Sequence, residues 1–385
     1  MTSSRTPLVV DIGPLREAYY TGIPNVVAEI CDRLIEEDWL DLYFDLDGKW
    51  IETSVLRRCL AARSGSALAG AGDRFRPAAD FRKMLADQGK LDRTVALYTD
   101  HRPAQKLWAR EGKIVYDLSM VLAPECHPEG SVQMYTSDLA EQIASSDVLF
   151  CISRSTARDV EWVFGVKPDR IKVALLGNNV ELAKPDRMRD MIAGRPVEPY
   201  LLVLGSIEPR KNAALVLKWL AGRPEVLKEM RVVFAGRQAW GDDFRLLAER
   251  NGLETALSTG RIVFTGYVDD RLKAALLTGA AALVYPSIFE GFGLPLLEAM
   301  SIGTPVLSSV STSMPEVVGD CGYYFDPFDV ASLDRAYEAL KADRLSGAVE
   351  AVVDKARERA QTFSYDKTYA VILGGLFPSG RPRPI

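Results

Sequence analysis

Two glutamates bracket a glycine-rich bend in Pro286-Ser-Ile-Phe-Glu290-Gly-Phe-Gly-Leu-Pro295-Leu-Leu-Glu298-Ala-Met300. The apolar run before it, Ala281 to Tyr285, reads as a buried strand, and Gly291 and Gly293 let the backbone turn tightly and approach a ligand. Pro295 suits the first turn of a helix. The leading amides of that helix have no partners within it, and with the positive end of its dipole they favour an anionic phosphate. Glu290 lies on the bend, where a donor's sugar would sit. Glu298 lies about one helical turn further on, where a carboxylate accepts hydrogen bonds from ribose hydroxyls. The ligand that fits this arrangement is a sugar nucleotide.

A second loop carries the complementary charge. Gly205-Ser-Ile-Glu208-Pro-Arg210-Lys211-Asn212 joins the apolar run Tyr200 to Leu204 to a helical run from Ala213 to Leu220. Arg210 offers a planar donor fork and Lys211 a compact charge, which together suit a diphosphate whose charge grows as its bond to a sugar breaks. Asn212 is expected to cap the helix. Taken alone, adjacent cations at a helix start are more often surface charge, and a solitary Glu298 would read as a carboxylate stabilised by the helix dipole. The two loops together tip the reading towards a ligand site.

The elements that must position these loops are short apolar strands alternating with longer helical segments, the pattern of parallel sheets covered by helices. Strands are expected at Leu8–Asp11, Leu42–Phe44, Val95–Tyr98, Ile114–Tyr116, Val148–Ile152 and Ile171–Leu176. In the second half they are expected at Tyr200–Leu204, Val232–Ala235, Ile262–Phe264, Ala282–Tyr285, Pro305–Ser308 and Tyr323–Phe325. Helices are expected at Ile23–Ile35, Ser153–Val163, Leu333–Leu340 and Ala348–Ala360. The proline-rich, charged segment 184–199 marks the division. The expected domains are 1–190, 191–365, and a C-terminal segment 366–385 that ends in a loose tail from Pro378.

A chain of 385 residues fits two domains of ordinary size. Its net charge of -5 gives no general attraction to nucleic acid, so DNA and RNA are excluded as partners. Five cysteines without close pairs point to neither a disulfide framework nor a zinc site, and fit a reducing cytoplasm. The N-terminus shows no apolar segment of the secretory type, and Leu272 to Tyr285, the longest apolar stretch, is too short to span a bilayer. Asp45-Leu-Asp47 has a spacing by which two carboxylates can hold a divalent metal, but it precedes Gly48 and reads as a solvated turn. Gly70-Ala-Gly72 lacks the third glycine and the preceding strand of a dinucleotide fingerprint. Between Arg57 and Lys113 there are 13 Lys or Arg against 6 Asp or Glu. An ordinary helix face explains this excess. The functional reading is peripheral contact of 57–113 with an anionic membrane or a lipid diphosphate, with Phe81 and Trp108 as apolar anchors.

The chain resembles the retaining nucleotide-sugar glycosyltransferases of family 4. The resemblance rests on Gly205 to Asn212, Phe264-Thr-Gly266-Tyr-Val268, Tyr285 to Met300, Gly303-Thr-Pro305-Val and Met314-Pro-Glu316-Val-Val-Gly. It implies the GT-B architecture: two Rossmann-like lobes facing a central cleft. It also implies that Arg210 and Lys211 hold the donor diphosphate, that Glu298 holds the ribose, and that Glu290 with the Gly291-Phe292-Gly293 backbone and Leu294 contacts the transferred sugar. Gly205 lies in the phosphate loop, and Arg237, Gln238, Tyr267 and Val268 would line the base pocket. In the first half, Val9-Val-Asp-Ile-Gly13 and Tyr20-Thr-Gly22-Ile23 resemble the family's N-terminal strand and glycine loop, which places Gly13 near the donor. Pro24-Asn25 stands where many relatives carry glycine and arginine. Tyr116-Asp117-Leu118 and Pro124-Glu-Cys-His127-Pro128 resemble the acceptor side, which makes Asp117 and His127 candidates there; a structural histidine is an equal reading of His127.

The expected reaction is transfer of a hexose to a hydroxyl of a growing glycan or lipid-linked oligosaccharide, with retention and without cofactor or metal. The resemblance to bacterial O-antigen and exopolysaccharide mannosyltransferases favours GDP-mannose, with GDP-fucose, another GDP-hexose or a UDP-hexose as rivals. The expected place is the cytoplasm, at the inner face of the membrane. A sugar-nucleotide 2-epimerase on the same fold and a nucleotide-binding but inactive subunit of a glycan-assembly complex are the alternatives. Chelation of divalent ions is expected to leave activity largely intact; complete loss reversed by one added metal would assign Asp45 and Asp47 as ligands.

Overall fold

The computed structural model describes residues 5–17, 20, 22–51, 53–62, 64–66, 76–178 and 199–380. The chain forms two units, one from Met1–Leu118, Tyr135–Gly177 and Ser364–Ile385, the other from Ser119–Met134 and Asn178–Phe363. This division departs from the one read in the sequence at two places. Ser119–Met134 joins the second unit, and the chain from Ser364 returns to the first. Residues 184–198, Gly70-Ala-Gly72 and the end of the tail, 381–385, lie outside the described residues.

In the first unit eight strands form one sheet: β1 (Thr6–Asp11), β2 (Leu40–Leu46), β3 (Lys49–Ile51), β4 (Arg76–Pro77), β5 (Val95–Tyr98), β6 (Arg110–Val115), β7 (Val148–Cys151) and β8 (Ile171–Val173). Their order is β4-β3-β2-β1-β5-β6-β7-β8. The strands from β2 to β8 in that order are parallel, as the alternating pattern requires, and β3 and β4 add antiparallel at one edge. Asp47 and Gly48 take φ of 52° and 74°, the left-handed pair that turns β2 tightly into β3. The Asp45-Leu-Asp47 stretch is therefore the end of a strand and a hairpin turn. Asp47 pairs with Arg16 there.

Beside this sheet, Tyr43, Trp50, Phe81 and Trp108 form an aromatic cluster with ring centroids 4.5 to 6.0 Å apart. This corrects the expectation of Phe81 and Trp108 as membrane anchors. They are 3% and 9% exposed and serve the core, because large aromatics gain more from burial than an amphipathic surface can offer. β6 hides charge instead. Arg102 and Glu111 are fully buried and joined at 2.5 Å, and Glu111 also accepts the amides of Leu107 and Trp108 at 2.6 and 2.8 Å.

Residues 366–376, expected as part of a separate C-terminal segment, belong to a helix, Tyr365–Leu376, that packs on the first sheet. Arg110 donates to the Gly375 carbonyl at 2.9 Å, and Thr368 donates to that of Leu175 at 2.5 Å.

The second unit has six parallel strands: β9 (Tyr200–Leu204), β10 (Arg231–Ala235), β11 (Ile262–Phe264), β12 (Ala282–Tyr285), β13 (Val306–Ser309) and β14 (Tyr323–Phe325). Their order is β11-β10-β9-β12-β13-β14. Counted from β9 this is 3-2-1-4-5-6, the doubly wound order whose direction reverses between β9 and β12. Helices bury both faces, so β9, β12 and β13 are buried along their whole length. Trp219 fills the core beneath and donates its indole N–H to Asp334 at 2.9 Å.

Arg102→Met should lower stability by about 3–5 kcal/mol in chemical denaturation, because it strands a buried carboxylate. Adding Glu111→Gln should recover part of the loss. An unchanged midpoint would deny the pair a structural role.

Candidate functional site

At a point where strand order reverses, the carboxyl ends of neighbouring strands leave a crevice that no connection crosses. β9 ends at Leu204, just before Gly205, and β12 at Tyr285, so the two chemically distinctive loops emerge side by side. Gly236, after β10, approaches so closely that a Cβ on it would stand 1.9 Å from the Gly205 carbonyl oxygen. A short turn, Pro209–Lys211, then presents the two cations. Ile288 N–H donates to the Arg210 carbonyl at 2.8 Å and zips the loops together. Asn212 does not cap its helix by its side chain, as the sequence led us to expect. Its backbone is left-handed (φ 57°), and its amide donates to the carbonyls of Pro286 and Pro327 at 3.2 and 2.8 Å, tying three loops instead.

Arg210, Lys211 and Glu290, read from the sequence as contacts of diphosphate and sugar, meet one another in a single ion cluster. Lys211 Nζ lies 2.5 Å from Glu290 Oε1, and Arg210 Nη1 lies 3.2 Å from Oε2. Arg210 also donates to the Phe289 carbonyl at 2.8 Å and to Glu208 Oε1 at 2.9 Å. Tyr285 donates its hydroxyl to Glu290 Oε1 at 2.9 Å and receives Lys211 at 3.2 Å. Thr312 and Ser313 fix the Glu290 backbone through bonds of 2.9 to 3.0 Å. Burial alone would raise the Glu290 carboxyl, but Lys211 and Arg210 outweigh it and bring it down to about 2. Burial and the adjacent Glu290 push the Tyr285 hydroxyl well above its usual range, so it stays a donor. Two cations face two carboxylates, and the cluster is balanced.

Gly293 takes φ 98°, a conformation that other residues rarely adopt, and starts the helix Leu294–Ile302 with Pro295 in its first turn. Gly291 is not left-handed, and the Phe292 ring packs edge-on against Phe363 at 5.8 Å, so only backbone at 292 is available to a ligand. Glu298 is buried on the same helix. Its Oε1 accepts Lys273 at 2.8 Å, and its Oε2 is buried without a hydrogen-bond partner.

Arg237, Tyr267 and Val268 follow β10 and β11 on this same carboxyl end of the sheet; Arg237 and Tyr267 are exposed and Val268 half-buried. The Gln238 side chain braces a turn by bonding Asp242 and Phe244. Gly13 lies in the first unit, its N–H donated to Asp11 at 2.9 Å, on a cavity of about 510 Å³ lined also by Asp45, Asp47 and Asp100. Burial and then the adjacent Asp11 push Asp45 up to about 6. Arg16 and His101 line the same cavity, so acidic and basic groups meet there. Asp117 belongs to the first unit and His127 to the second. His127 Nε2 is 3.0 Å from Ser119 Oγ, and its ring lies 5.8 Å from that of Trp240, which donates to the Cys126 carbonyl at 2.8 Å. Among the described residues no group of three or more His, Cys, Asp or Glu could hold a metal ion.

The sequence reading gave no role to Glu208, Tyr285, Lys273 or Thr312. Glu208, 6% exposed, holds Arg210 while accepting Ser206 at 2.6 Å. An acid two residues before a cation, and a tyrosine closing an otherwise apolar strand, were the available signals. Lys273 and Thr312 arrive from distant segments and left no local trace.

Residues 188–361 match the family model described as glycosyl transferases group 1. O-antigen chain mannosyltransferase B of Escherichia coli is 34% identical over 224 residues, 57% of this chain and 58% of that protein. Serotype-specific mannosyltransferase WbdA of Escherichia coli is 30% identical over 256 residues, 64% of this chain and 31% of that protein. The match thus spans little more than half of one relative and a third of the other. Sucrose-phosphate synthase from Thermosynechococcus elongatus shares the fold with a TM-score of 0.69 at 19% identity, covering 97% of this chain and 99% of that one. The α/β architecture with parallel sheets is that of GT-B glycosyltransferases.

The folded protein keeps Glu290 ionised to about pH 2, whereas the unfolded chain protonates it near 4.5. Between these values the unfolded state binds more protons, so stability should fall as pH drops through the window. Glu290→Gln should flatten that part of the curve by up to about one proton's slope; parallel curves for the two proteins would contradict the ion cluster.

Proposed function

We propose, from the premise that residues 188–361 are a glycosyl transferases group 1 domain, that this protein moves a hexose from a nucleoside diphosphate sugar to a hydroxyl of a growing bacterial surface glycan or lipid-linked oligosaccharide. The observation that carries the reading is the meeting of Arg210, Lys211 and Glu290 where strand order reverses. The favoured transfer is mannose from GDP-mannose with retention, and the likeness to the Escherichia coli mannosyltransferases supports mannose.

As the bond from sugar to phosphate breaks, charge gathers on the diphosphate, and Arg210 and Lys211 stabilise it. Glu290 has both oxygens engaged and a depressed pKa, which makes it a weak base. It orients the sugar, and the departing phosphate takes the acceptor's proton on the same face. Glu298 binds the ribose, and Arg237, Tyr267 and Val268 surround the base. Asp117 and His127 are the acceptor-side candidates. The scheme requires no metal and no cofactor.

We place the reaction at the cytoplasmic face of a membrane. The five cysteines form no disulfide among the described residues, and no described helix is long and apolar enough to cross a bilayer. Membrane contact through 57–113 rests on its basic excess, since Phe81 and Trp108 are buried.

Thermal shift against GDP- and UDP-sugars, followed by turnover with defined acceptors and the anomeric configuration of the product, tests the reading. Lys211→Ala should lower turnover by about a hundredfold or more while the protein stays folded. A wild-type rate would remove the phosphate role, and interconversion of sugar nucleotides without acceptor would make the enzyme an epimerase.

A further inference from the structure

The two oxygens of a carboxylate are equivalent until something nearby distinguishes them. For Glu290 nothing is left over, because one oxygen meets Lys211 and Tyr285 and the other meets Arg210. Glu298 is different. Lys273 Nζ holds its Oε1 at 2.8 Å, and Oε2 is buried with no hydrogen-bond partner. A buried acceptor of this kind is unfavourable unless a ligand fills it.

Lys273 comes from the helix Asp270–Gly279, outside both loops of the cluster, and its side chain is 19% exposed. Its ammonium also reaches Asp270 at 3.2 Å. Burial pulls its pKa down, but Glu298 and Asp270 outweigh burial and leave it above its usual range, so it remains charged. The charge neutralises a carboxylate that would otherwise be buried alone. The contact also consumes one defined oxygen of the two.

We propose that Lys273 is the positioning residue for the ribose-binding carboxylate: by holding Oε1 it reserves Oε2 of Glu298 as the acceptor for the nucleotide's vicinal hydroxyls. This rests on the reading of Glu298 as the ribose contact. Lys273 touches no ligand itself. Its effect is to fix the rotamer of Glu298 and so the preference for a ribonucleotide over one lacking those hydroxyls.

The test is the ratio of dissociation constants for 2′,3′-dideoxy-GDP and GDP, measured by calorimetry on the full chain, with the UDP pair substituted if UDP binds tighter. A hydrogen bond to a charged acceptor gives an expected wild-type ratio of about ten or more. Glu298→Gln and Lys273→Met should each bring it to within about threefold of unity. A Lys273 that served folding alone would weaken both nucleotides together and leave the ratio intact. If Glu298→Gln loses the preference while Lys273→Met keeps it, the role of Lys273 falls and the ribose reading stands. If the wild type shows no preference, or Glu298→Gln retains it, both fall. Should Lys273→Met not fold, Lys273→Leu, which also removes the donor, takes its place: a ratio near unity supports the role and a wild-type ratio overturns it.

Discussion

An ionised carboxylate buried between two cations governs the second unit. Glu290 lies inside the protein, where an unpaired charge is untenable, so its ionisation depends on Lys211 and Arg210 keeping their places. Those cations come from the turn after β9 and the acid from the bend after β12. The pairing therefore fixes two loops against each other at the reversal point of the sheet. Surrounding residues follow from that demand. Gly236 permits the approach of the loops, Tyr285 supplies a donor from below, Thr312 and Ser313 hold the acid's backbone, and Glu208 steadies the arginine.

Charge balance in this cluster bears on what it binds. An open anion site would hold any phosphate, whereas here each cation already has a carboxylate partner. In the proposed reaction a diphosphate can draw Lys211 away only if Glu290 gains other donors, and the hydroxyls of the attached sugar are such donors. In that reaction binding would favour the intact donor over inorganic pyrophosphate. Glu298 stands apart with one oxygen engaged and one open, and so suits a hydroxyl rather than a competing cation. The two glutamates share a helix-and-bend motif but differ in what surrounds them.

Much of this was legible in the sequence because the second unit is built from strands buried on both faces. β9, β11, β12 and β14 stand where unbroken apolar runs put them, and the loops at their ends carried Arg210, Lys211, Glu290 and Glu298 in plain view. The first unit was less readable where charge is buried. β6 includes Arg110, Glu111 and Lys113, whose partners Arg102, Asp100 and Gly375 lie outside the strand, so the sequence marked only its last part. The β2–β3 hairpin was announced by Asp47-Gly48, yet three-residue β3 has too little pattern to register. Lys273 could not be found at all, since only folding brings a helix after β11 to Glu298. Phe81 and Trp108 misled for a related reason: aromatics near basic residues look alike in sequence whether they face lipid or each other.

The helix Tyr365–Leu376 follows the second unit in the chain but belongs to the first, where Gly375 presses so closely on Phe150 that a Cβ would stand 2.5 Å from its ring. During synthesis the amino-terminal sheet must therefore wait, uncovered along this seam, until the segment after the second unit has been translated. The second unit, uninterrupted from Asn178 to Phe363, can close beforehand, which reverses the usual order in which domains mature on the ribosome.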